Sequence, residues 1–151
     1  MGSTRFAVAL RACKEVTVDT QTISHFLLGN EAYTALTRVL FQSIEQGRLR
    51  AVVSSITVAE LFTLPVEKGD AEMEAHMEAF FTEFPNVSIQ PFDGIVAHLA
   101  ARVRAESKLS LPDAAIVATA QHVRSDAIIS NAMRWRNRFA TPRLLLLDDY
   151  R

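Results

Sequence analysis

Three carboxylates stand in apolar company along this chain: Asp19 in VTVDT, Glu60 in SSITVAELF and Asp113 in LSLPDAAIVATA. An ionised acid among apolar neighbours is costly to desolvate unless a counter-charge or hydrogen bonds compensate it, and one shared cation would compensate all three. Ligands made of carboxylate oxygen alone, with no cysteine or suitably spaced histidine beside them, suit hard cations such as Mg2+ or Mn2+ better than zinc. Such a cation lowers the pKa of water and stabilises charge on a phosphate in flight, so the chemistry indicated is metal-assisted phosphodiester hydrolysis. Each acid also has a plainer reading. Asp19 can cap a helix, Asp113 follows Pro112 where an acid favours the positive end of a helix dipole, and Glu60 can face water on a narrow stripe. Only the combination points to a metal site, with Thr20 beside Asp19 as an accessory oxygen donor.

Basic side chains are the natural partners of a phosphate. Arg134, Arg136 and Arg138 in MRWRNRF are candidate RNA contacts if that segment borders the acids. The competing reading makes them a solvated face with Trp135 and Phe139 packed inward. Arg102, Arg104 and Lys108 form a second basic cluster, while the four histidines show no ligand spacing and receive no role.

The elements that must position these groups follow from the patterning. A chain of 151 residues that is 49% hydrophobic and 22% charged suits one globular domain with a real core. Its net charge of -1 supplies no overall basic field, so nucleic acid would have to meet a local patch. The lone Cys13 cannot form an internal disulfide, which suits a reducing cytosol but also many secreted proteins, and no apolar run approaches a membrane span. Residues 1–13, with the short apolar stretch FAVAL, read as an N-terminal extension of unknown role before a domain over 14–151.

From there strand and helix signals alternate. KEVTVD, RLRAVVSS, NVSIQ, DAIIS and RLLLL read as five strands, the last two apolar enough for central or doubly covered positions. Between them lie helices over TISHFLLG and EAYTALTRVLFQSIEQG, and one over 56–64 broken near Pro65. A further amphipathic helix carries Met73, Met77, Phe80, Phe81 and Phe84 on one face. Two more follow over DGIVAHLAARVRAES and PDAAIVATAQHV, the last apolar almost all round. The expected fold is α/β, a central parallel sheet flanked by helices, whose ligands gather beyond the carboxyl ends of the strands. Asp19 closes the first strand at such an end.

The blocks VTVDTQT, SSITVAELF, LSLPDAAIVATA and IISNAMRW, in this order and with the closing LLLLDD, resemble the signature blocks of the PIN-domain family, most closely its VapC-like toxin ribonucleases. The resemblance runs from about residue 15 to the C-terminus. It implies a single PIN-like domain with a sheet of about five strands, using Asp19, Glu60 and Asp113 as catalytic metal ligands for Mg2+ or Mn2+. The implied activity is endoribonucleolytic cleavage of RNA, with water attacking the scissile phosphate. The toxin branch implies a cytoplasmic homodimer silenced by a cognate antitoxin that covers the active site.

One block departs from the family pattern. Where the family often carries threonine, any residue and aspartate, with an aromatic three positions later, this chain has Ser130, Asn131, Ala132 and Trp135. The fourth carboxylate is replaced by Ala132, which implies a weaker second metal position and so either a single-metal site completed by substrate oxygens or reduced activity. Asn131 then becomes a candidate accessory through its amide oxygen, and Ser130 a hydrogen-bond donor to phosphate or to a neighbouring carboxylate. The alternative function is a catalytically weakened PIN-like domain that acts by binding RNA or a protein partner.

Overall fold

Five strands, β1 (Glu15–Val18), β2 (Arg50–Ser54), β3 (Val87–Gln90), β4 (Ala127–Ser130) and β5 (Arg143–Leu146), make one parallel sheet in the order β3-β2-β1-β4-β5. The computed structural model describes residues 1–151. Seven helices cover both faces: α1 (Gly2–Arg11), α2 (Thr20–Leu27), α3 (Thr34–Glu45), α4 (Ser55–Lys68), α5 (Ala71–Glu83), α6 (Gly94–Ser107) and α7 (Leu111–Val123). Parallel strands need crossover connections, and α2 to α7 supply the first three of them. The chain lays β2 and β3 on one side of β1, then returns to place β4 and β5 on the other. That reversal opens a crevice beyond the carboxyl ends of β1 and β4, where Asp19 and Ser130 meet although 111 residues apart.

The two-residue period of the strands separates two cores. Val16, Val18, Ala127 and Ile129 face a large cluster with α1, α2, α3, α4 and α5, whereas Ile128 faces a smaller one built from α6 and α7. α7 lies between the sheet and α6, and Asp113 through Ala120 are all buried, as its all-round apolar sequence requires. The Met77 and Phe80 stripe of α5 packs on the aromatic pair Phe26 and Phe41, whose rings stack at 4.0 Å. The stripe therefore serves the chain's own core.

Two elements differ from the sequence expectation. Within the stretch 1–13, residues Gly2–Arg11 form α1, with Phe6, Leu10 and the following Cys13 inside the larger core and Arg5 donating to the Asp149 carbonyl at 2.9 Å. Spacing Phe6 and Leu10 four apart puts both on one helix face, enough to dock a short helix against α3 and the C-terminal turn. α4 passes through Pro65 and ends at Gly69, whose φ of 64° takes the left-handed cap; the proline withholds only its own rung of the ladder. β5 lies at the sheet edge, yet Leu145 and Leu146 are buried, which is the covered position its apolar run allowed. No helix is long and apolar enough to cross a membrane.

Candidate active site

Asp19 leaves β1 and immediately caps α2, so the strand end and the cap are one residue. Its Oδ1 accepts from the Thr22 backbone N–H at 2.9 Å, and its Oδ2 accepts from Ser130 Oγ at 2.5 Å. The side chain is buried, and burial raises its pKa above the ordinary aspartate value against the opposing hydrogen bonds of Ser130, Thr22 and the Asn131 backbone. No positive group touches it. The capping reading and the energetic anomaly are thus both properties of Asp19.

Glu60 stands differently. α4 turns Thr57, Leu61 and Pro65 inward at a spacing of four, which leaves Glu60 exposed; its apolar sequence neighbours belong to other faces. Thr20 Oγ1 lies 2.6 Å from Glu60 Oε1 and 3.0 Å from Thr57 Oγ1, and its single proton goes to the stronger acceptor, the carboxylate. Thr20 thereby ties the start of α2 to the middle of α4.

Asp113 sits in the first turn of α7, three residues after the capping Ser110, and is buried. Both of its oxygens are taken by one side chain: Arg134 Nε reaches Oδ2 at 2.7 Å and Nη2 reaches Oδ1 at 2.9 Å. Arg134 follows β4 in a short 3-10 turn, Met133–Trp135, fixed by the buried Trp135. The hydrogen bonds to Asp113 first, and the charges of Asp113, Asp19 and Glu60 beyond them, raise its pKa further.

These groups share a cleft of about 450 Å³ lined by Asp19, Thr20, Glu60, Asp113 and Arg134, with Leu64 and Met73 on an apolar wall. Lys68 also borders it. Glu60, Leu64 and Lys68 recur every four residues on one face of α4, the signal by which Lys68 could have been found. In this arrangement no three acidic, histidine or cysteine side chains stand close enough together to hold a metal ion, and both Asp113 oxygens are engaged by the Arg134 guanidinium. The donor set nevertheless fits a small hard cation: carboxylate and hydroxyl oxygens only, with Asp19 buried and lacking a counter-charge.

The sequence profile described as PIN domain matches residues 16–137. The chain belongs to the PIN-domain family. Among proteins of curated function, none matches its sequence. Its fold is shared with a chain of VapBC2 from Rickettsia felis bound to a promoter DNA fragment, at 14% identity and a TM-score of 0.67, covering 87% of this chain and 98% of that one. A chain of FitAcB from Neisseria gonorrhoeae gives 21% and 0.66, covering 87% and 97%, and one of a toxin-antitoxin complex from Klebsiella pneumoniae 22% and 0.64, again covering 87% and 97%.

Around the acids, this PIN domain places the other candidates unevenly. Ser130 bonds Asp19 directly and also accepts from the Ala132 N–H at 2.9 Å. The Asn131 amide turns away: Nδ2 donates to Tyr33 Oη at 2.8 Å and Oδ1 accepts from the Asp148 N–H at 3.1 Å. Its expected accessory role through the amide oxygen is therefore not provided, and its side chain ties β4 to the C-terminal turn instead. Arg136 pairs with Asp149 at 2.7 Å and Arg138 donates to the Ser107 carbonyl at 3.2 Å, both away from the cleft. Asn137 with φ of 62° breaks the segment, so Arg134 and Arg138 do not share a helix face. Trp135 and Phe139 do pack inward, their rings 6.3 Å apart.

Ala132 belongs to the apolar cluster of α6 and α7 with Trp135 and is 3% exposed. A carboxylate there would be desolvated beside apolar side chains. Ala132→Asp is accordingly expected to destabilise the fold by about 3 kcal/mol in chelator, read by urea denaturation. An unchanged midpoint would show that the new side chain escapes into the cleft.

Proposed function

We propose that this PIN domain is an endoribonuclease dependent on Mg2+ or Mn2+, the toxin of a toxin-antitoxin pair. The observation that carries the reading is the convergence of Asp19, Glu60 and Asp113 on one cleft at the switch point of the sheet. PIN domains are generally nucleases, which agrees with that arrangement. Asp19, Glu60 and Asp113 would hold the cation, which when bound lowers the pKa of water and stabilises charge on the phosphate.

The remaining groups act through position. Ser130 and Thr22 fix the Asp19 carboxylate and favour its charged form, and Thr20 fixes Glu60. Lys68 and Arg134 place positive charge at the mouth for RNA phosphates, where Arg136 and Arg138 lie elsewhere. The shared fold with a chain of a toxin-antitoxin complex supports a cognate antitoxin, and a homodimer in a cytoplasmic setting completes the same proposal.

A second reading, binding of RNA or a protein partner without turnover, is favoured by Ala132 at the family's fourth acidic position and by Arg134 on Asp113. One experiment separates them. Purified protein incubated with RNA is expected to cleave it in Mg2+ or Mn2+ and to stop in excess chelator. Intact RNA in both metals, with RNA binding retained by Asp19→Asn, would establish the second reading in its place.

A further inference from the structure

Among the basic side chains, Arg134 alone is hydrogen-bonded to one of the three acids. It presents one edge of its guanidinium, Nε and Nη2, to both oxygens of Asp113, a fork that a lysine cannot reproduce. The partners are unequal. The Asp113 side chain is 10% exposed and held in the first turn of α7, whereas that of Arg134 is 62% exposed on a turn anchored by Trp135. The arginine can therefore swing into solvent without moving backbone or core, while the aspartate cannot follow.

A cation bound by Asp113 needs at least one oxygen that Arg134 now occupies, and it would stand beside a guanidinium already in the field of Asp19 and Glu60. Two positive groups do not share so small a site without mutual cost. We infer that Arg134 is a built-in counter-ion to Asp113 that a divalent cation must displace. The inference rests on the metal-dependent reading above. It gives Arg134 a role distinct from a fixed RNA contact: the side chain is released toward the cleft mouth only when the cation arrives, so the positive charge that meets a substrate phosphate is made available by metal binding.

The test is a calorimetric Mn2+ titration of the full chain and of Arg134→Gln and Arg134→Lys, with thermal melting to confirm folding. Removing charge and fork together in Arg134→Gln is expected to tighten Mn2+ binding about fivefold or more, since an ion pair open to solvent on its arginine side no longer has to be broken. Arg134→Lys keeps the charge and loses the fork, and is expected to fall between the two. Equal or weaker binding in Arg134→Gln overturns the inference while leaving the metal site standing. If that variant does not fold, Arg134→Lys decides alone: tighter binding than wild type supports the competition, and equal or weaker binding ends it. Absence of Mn2+ binding in all three folded proteins removes the metal reading and the inference with it.

Discussion

Asp19→Asn is expected to reduce metal-dependent RNA cleavage about a hundredfold or more and, in chelator, to make the fold more stable. The two effects have one cause. Asp19 is buried without a positive partner, and desolvation raises its pKa despite the hydrogen bonds from Ser130 and Thr22. A folded pKa above the unfolded value means that the folded state holds the proton more tightly. The associated stability is complete below the unfolded pKa of about 3.9 and is lost as pH rises through the folded value. At neutral pH the ionised side chain is therefore a liability that asparagine removes. Melting in chelator should show Asp19→Asn a few degrees above wild type at neutral pH, with the gap closing as pH falls into the range where Asp19 itself is protonated. A variant less stable than wild type at neutral pH would show that the hydrogen bonds outweigh the burial.

Phe6→Ala carries the largest expected cost to the fold. Phe6 is wholly buried in the larger core and its ring lies 5.1 Å from that of Tyr150, so truncation removes apolar contacts from α1, α3 and the C-terminal turn together. A loss of about 3–5 kcal/mol is expected, a large share of the stability of an ordinary domain. The urea midpoint should fall with an unchanged slope. A loss below about 1 kcal/mol would mean that α1 is a detachable extension, in keeping with a family match that begins only at residue 16.

The fold was legible because each strand and helix carries its own period, and because alternation of the two leaves few topologies. What escaped was set by contacts distant in sequence. α1 has no side-chain cap at Met1 and an exposed Val8, and only the Phe6 and Leu10 pair betrays its buried face. Glu60 has apolar neighbours in sequence, yet burial in a helix follows every third or fourth position, and Thr57, Leu61 and Pro65 already define the inner face, which leaves Glu60 exposed. The acids Asp19 and Asp113 were found by their apolar company. Their partners were not, since nothing local in MRWRNRF distinguishes Arg134, which reaches back 21 residues to Asp113, from Arg136, which pairs with Asp149. Asn131 shows the same limit, its amide being engaged by Tyr33 from 98 residues away.

The chemistry of the cut ends tests the central claim most directly. If Asp19, Glu60 and Asp113 hold a cation that promotes attack by water, RNA fragments produced in Mn2+ should carry no terminal cyclic phosphate, and none should form in chelator. Fragments ending in cyclic phosphate, produced equally well in chelator, would show that the ribose hydroxyl is the nucleophile and that the acidic cleft does not perform the hydrolysis.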